Sequence, residues 1–175
     1  MLPEKLEQVD PGWSPDGKQL VFSRWARNDS TIQLLDLNSK KMSIIPGSQG
    51  LYSPRWSPDG RYLAALSVTW RKLVIFDFKK QQWSDWVSGH GWFAYPTWSR
   101  DGKYLYFEIL VTDKPGYYRV QFGQAEAELV VDLKGLHLFS TNQLGAWSSI
   151  TPDGSPLFVR DTGTDEIYAL DLELP

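Results

Sequence analysis

The sequence predicts an all-β fold of about four repeated, four-stranded antiparallel sheets. Three observations predict it: one hairpin motif recurs four times, strand-like apolar runs follow each copy, and no stretch of about eleven residues holds a helical period. The copies are Trp13-Ser14-Pro15-Asp16-Gly17, Trp56-Ser57-Pro58-Asp59-Gly60, Trp98-Ser99-Arg100-Asp101-Gly102 and Ile150-Thr151-Pro152-Asp153-Gly154. Counted from Asp to Asp, the intervals are 43, 42 and 52 residues. A period near 42 is the size of a propeller blade, so the fold class is a β-propeller. The longer last interval is absorbed before Trp147, where Lys134 to Leu144 reads as a long loop.

The motif has a conformational reading of its own. In Ser-Pro-Asp-Gly, Pro pre-sets φ at the second position of a type I turn and Asp suits the third. Gly takes the left-handed conformation that closes a hairpin through a bulge. Arg100 is compatible, because a type I turn favours Pro there without requiring it. After each turn comes a second strand: Gln19 to Arg24, Tyr62 to Val68, Tyr104 to Val111 and Pro156 to Arg160. Third strands follow at Ile32 to Leu37, Lys72 to Phe78, Tyr117 to Phe122 and Glu166 to Leu172, and fourth strands at Met42 to Ile45, Trp83 to Val87 and Glu128 to Asp132. Most are rich in the β-branched and aromatic types that fill pleated surfaces.

The whole chain, residues 1–175, is therefore expected to be one propeller domain, with blades at about 10–47, 52–89, 94–133 and 145–175. The last blade lacks a fourth strand. Residues 5–9 are expected to complete it and close a four-bladed ring; the competing expectation is a larger propeller, or two copies pairing as a homodimer to hide blade faces.

Composition restricts the partners. Net charge is −3 and the 18 Lys and Arg residues are dispersed, so no basic stripe for nucleic acid is present. There is no Cys, hence no disulfide framework and no thiolate metal site. No 18-residue apolar run predicts membrane insertion. Compartment is left open: periplasmic if an export or membrane segment lies upstream, cytoplasmic otherwise.

With the hairpins and their apolar second strands set out, the chain resembles the TolB-like propeller repeat family over residues 10 to 172. Its end, from Thr151 to Gly163 and then Glu166 to Asp171, looks like the C-terminus of bacterial proteins that join such propellers to a winged-helix regulatory domain. That resemblance implies a sensing or interaction role. DNA binding does not carry over, because these residues contain no winged helix.

Catalytic and metal readings are weaker. Asp16, Asp59, Asp101 and Asp153 recur as turn residues a blade apart, too distant to share an ion. Only His90 and His137 offer an imidazole, and no Gly-x-Ser-x-Gly elbow is present. The acidic run from Asp161 to Glu166 lacks calcium-loop spacing. No cofactor and no metal are expected.

Meander topology instead separates two rims. The short polar turns from first to second and from third to fourth strand share one, and the connections from second to third strand and from one blade to the next share the other. The second rim receives Trp25, Arg27, Tyr52, Trp70, Arg71, Trp92 and Tyr95. Aromatics beside Arg are the residue types enriched at binding hot spots, so a protein or small ligand is expected there. Against this, Trp92 and Tyr95 also suit packing between blades, as Trp13, Trp56 and Trp98 do. The alternative function is a propeller enzyme, a lyase or a lactonase-like hydrolase, with its site at the channel mouth.

Overall fold

The computed structural model describes residues 7–25, 29–138, 140–141 and 145–163. Within them the first sheet is β1 (Glu7–Trp13), β2 (Gln19–Trp25), β3 (Thr31–Asp36) and β4 (Met42–Ile44). The second is β5 (Leu51–Trp56), β6 (Tyr62–Ser67), β7 (Lys72–Asp77) and β8 (Gln82–Ser88). The third is β9 (Trp92–Trp98), β10 (Tyr104–Leu110), β11 (Gly116–Gln121) and β12 (Ala127–Asp132). Each is antiparallel and hydrogen-bonded in chain order. β13 (Ser140–Thr141) pairs with β14 (Gly145–Ala146), and β15 (Ser148–Ile150) pairs with β16 (Pro156–Phe158). The first strands β1, β5, β9 and β15 touch one another in succession. They therefore gather about a common axis with the fourth strands outside, the arrangement of a β-propeller. No helix among the described residues is long and apolar enough to cross a membrane.

Every motif copy turns as expected. Gly17, Gly60, Gly102 and Gly154 have φ of 69°, 72°, 69° and 87°. In the second copy the Ser57 hydroxyl donates to Asp59 Oδ1 at 2.5 Å and accepts from the Tyr62 amide at 2.8 Å, while the Arg61 amide donates to Asp59 at 3.0 Å. Ser14 and Ser99 repeat this set, and Thr151 repeats it in a turn one residue shorter. Ser57 is 3% exposed, so its hydroxyl replaces water for a strand-end amide. Ser57→Ala is expected to lower stability by about 1–2 kcal/mol, read as a lower urea midpoint at unchanged m-value.

Alternation along β6 and β7 explains how the sheets stack. Leu63, Ala65, Val74 and Phe76 face the first sheet, where Val21, Ile32 and Ile45 meet them. Ala64, Leu66 and Leu73 point the other way, with Val87, onto Phe93, Leu105, Phe107 and Val120 of the third. A period of two on a sheet buried on both faces yields the nearly continuous apolar run of these strands.

Three expectations need correction. Glu7, Gln8 and Val9 pair with Trp25, Arg24 and Ser23, so they open the first sheet and are not free to complete the last. Residues 5 and 6 lie outside the described residues, as does the expected strand from Glu166 to Leu172. The segment from Lys134 to Leu144 is not wholly loop, because β13 forms there and Leu138 bridges Arg160. Trp98 packs between blades, donating its indole N–H to Arg55 O at 3.1 Å, but Trp13 is 64% exposed and fills no such seam.

Candidate functional site

The rim opposite the motif turns is built by the end of β2, the β6–β7 connection and the starts of β5 and β9. It brings the sequence-selected aromatics together as two pairs. Trp25 meets Tyr52 edge-on, ring centroids 5.3 Å apart, across the first and second sheets. Trp70 meets Trp92 at 4.4 Å and 63° across the second and third.

Trp70 has φ 60°, a left-handed conformation that a bulky side chain adopts at a cost of about 1–2 kcal/mol. Two backbone bonds hold it there: its amide donates to Ser67 O at 2.8 Å, and its carbonyl accepts from the Phe93 amide at 2.7 Å. Arg71 beside it is exposed and forms no ion pair among the described residues. Trp92 is 41% exposed, so the indole pair is packed on one side and open on the other. Arg27 lies outside the described residues.

Tyr95 is placed differently. It sits within β9 at a bulge, where Tyr95 and Pro96 together oppose Phe107. The same bulge recurs at Asp10-Pro11 and Ser53-Pro54, and its first residue has φ of 54° at Asp10, 53° at Ser53 and 51° at Tyr95. Pro fits the second bulge position because the ladder leaves no amide to pair there.

These kinks gather a group on the inner strands that the sequence pattern did not reveal. Arg55 reaches Asp10 at 3.5 Å, Tyr95 stacks on Trp147 at 6.0 Å, and Glu108 lies beside them on β10. Burial, then the charges of Glu108 and Asp10, pushes the Tyr95 phenol up to about 12; burial, Asp10 and Tyr95 push Tyr52 up likewise. Both hydroxyls stay protonated at neutral pH and are available as donors. The signal in the sequence was the X-Pro pair ending two residues before Trp13, Trp56 and Trp98.

The hairpin carboxylates remain in their turns. The Ser14, Ser99 and Thr151 hydroxyls, followed by nearby backbone amides, hold Asp16, Asp101 and Asp153 below the usual carboxylate range. Asp161 likewise accepts the Gly163 amide at 2.8 Å. Among the described residues no three His, Cys, Asp or Glu side chains gather as a metal site.

Comparison with known proteins agrees with this architecture. The PD40 family, the TolB beta propeller domain, matches residues 4–172. TolB from Acinetobacter baumannii superposes with a TM-score of 0.72 at 20% identity, over 94% of this chain and 40% of that one. A putative TolB from Agrobacterium tumefaciens gives 0.69 at 20% identity, over 90% and 59%. An oligogalacturonate lyase in complex with manganese gives 0.53 at 18% identity, over 67% and 37%. The chain thus spans about 40% to 59% of the length of the two TolB proteins.

Proposed function

The chain belongs to the TolB beta propeller domain family, and from that premise we propose that it is a non-catalytic interaction module whose aromatic rim binds an extended peptide segment of a partner protein. The observation that supports it most is the Trp70–Trp92 pair with Arg71 alongside. A half-open aromatic cleft is held by a strained, doubly hydrogen-bonded backbone, next to a guanidinium that has no ion pair among the described residues. Local strain held by surrounding structure concentrates at functional sites, and Trp and Arg are among the residue types enriched at binding hot spots. Trp25 and Tyr52 extend the same rim toward the first sheet, and Tyr95 follows within β9.

The test is a random peptide library selected on the immobilised chain, with the selected peptides titrated by intrinsic fluorescence. The Trp70→Ala/Arg71→Ala variant is expected to melt within a few degrees of the parent, having lost an edge contact of about 1 kcal/mol. It is also expected to bind at least tenfold more weakly, about 1.4 kcal/mol or more. Unchanged affinity in that variant would show that the rim is not the site, and a library yielding no binder would count against the reading as a whole. Turnover of a uronate oligomer or a lactone by the purified chain would favour the lyase or lactonase-like hydrolase reading instead.

A further inference from the structure

The seams between sheets are not chemically alike. First to second and second to third are apolar, as the two core clusters show. On the far side of the third sheet the same alternation presents Tyr106, Glu108 and Tyr117, and the β15–β16 hairpin covers them. Phe158 meets Tyr117 edge-on at 5.2 Å, and Tyr106 stacks on Tyr117 at 5.8 Å.

Glu108 and Tyr117 are directly opposed in the β10–β11 ladder, and each is 0% exposed. Among the described residues neither Glu108 oxygen, nor the Tyr117 hydroxyl, nor the buried Ser148 hydroxyl on β15 completes a hydrogen bond, although Ser148 lies near enough to Glu108 to favour its ionised form. Corresponding positions in the other sheets are not built this way. Seven residues after the turn Asp, the first sheet has Ser23, whose hydroxyl accepts the Ser53 amide at 2.9 Å, and the second has Leu66. The residue paired with this position is Ile32 in the first sheet and Leu73 in the second. Of the three sheets, a buried carboxyl therefore enters at this position in the third alone.

Among the described residues no cation compensates it. The groups facing Glu108 are Tyr117 from β11, Tyr95 from β9 and Ser148 from β15, with Tyr106 on its own strand; none is basic. An ionised carboxylate without partners is costly in such a place, whereas the protonated acid is far less so.

We propose that Glu108 is a proton-controlled latch for the fourth repeat: neutral, it allows β15–β16 to dock on the third sheet, and ionised, it drives the hairpin toward release. Burial, offset in part by the nearby Ser148 hydroxyl, raises the docked Glu108 pKa to about 6, against 4.5 for an ordinary Glu. The docked state binds more protons than the released state between those values, so docking is strongest below pH 4.5, weakens as pH rises through about 6 and is level above. The whole change is about thirty-fold in the docking equilibrium. Trp147 reports on it, because release of the adjacent β15 parts it from Tyr95. The latch is internal to the fold and does not depend on what binds the rim.

The experiment is amide hydrogen exchange of the full chain from about pH 3.5 to 7.5, corrected for intrinsic rates, with Trp fluorescence in parallel. Protection in β15–β16 is expected to fall by about thirty-fold, the fall lying between pH 4.5 and about 6, while β6 and β10 stay protected. Glu108→Gln, and Glu108→Leu, which installs the residue type that Leu66 supplies in the second sheet, are expected to abolish that dependence. The wild-type profile alone decides the matter if neither variant folds. A flat profile, a loss spread evenly over all sheets, or an unaltered pH dependence in Glu108→Leu overturns the proposal.

Discussion

Phe107→Ala is expected to destabilise the chain by about 4 kcal/mol, near the upper end of what truncating one buried side chain costs. Phe107 is 0% exposed, on the face of β10 that meets the second sheet, with its ring 5.2 Å from Phe93 and 6.4 Å from Tyr118. It also stands alone opposite the Tyr95-Pro96 bulge, where the pairing shifts by one residue. Truncation thus removes transfer energy and leaves a cavity that the kinked β9 cannot collapse into. For a fold with a stability of about 5–15 kcal/mol this is a large fraction of the total. Leu129, 53% exposed, provides the contrast, with an expected loss of about 0.5 kcal/mol or less in Leu129→Ala. Paired urea titrations at equal m-value make the comparison, and similar losses in both would deny that the seam is a close-packed core.

The propeller was legible because its information is local and repeated. Turn chemistry at Pro15-Asp16-Gly17 and Pro58-Asp59-Gly60 needs no distant partner to be recognised, and the strands that follow alternate within six or seven residues. What escaped depends on neighbours. A bulge is a relation between two strands, so Asp10-Pro11 and Tyr95-Pro96 reveal their kink only when set against Phe22 and Phe107. Glu108 looks like any strand carboxylate until β15–β16 covers it, and the Asp10–Arg55 contact joins residues 45 positions apart. The rim residues were legible as a set but not as an arrangement. Meander topology places Trp70 and Trp92 at one end of their sheets; their mutual contact depends on the φ of Trp70, and the separate placement of Tyr95, against Trp147, goes with the β9 bulge.

Gly91→Ala is expected to cost about 3 kcal/mol and to disturb the rim at the same time. Gly91 has φ 95°, and a Cβ there would lie 2.7 Å from Ile109 Cγ2 and 2.8 Å from the Leu110 carbonyl oxygen. The first contact is with a side chain that has some freedom, but the second is with backbone in the β9–β10 ladder. Relief must therefore come from moving the start of β9, where Trp92 pairs with Leu110. Any such movement carries the Trp92 indole away from Trp70. Gly123→Ala separates the two contributions, because Gly123 has φ 85° with nothing within 4 Å of the added atom. It is expected to lose only the backbone preference, about 1 kcal/mol, and to keep the near-ultraviolet signal of the coupled indoles. Gly91→Ala is expected to show both the larger loss in thermal melting and a weakened indole signal. Equal losses in the two variants, with the indole signal intact in both, would mean that the close approach at Gly91 does not position the aromatic rim.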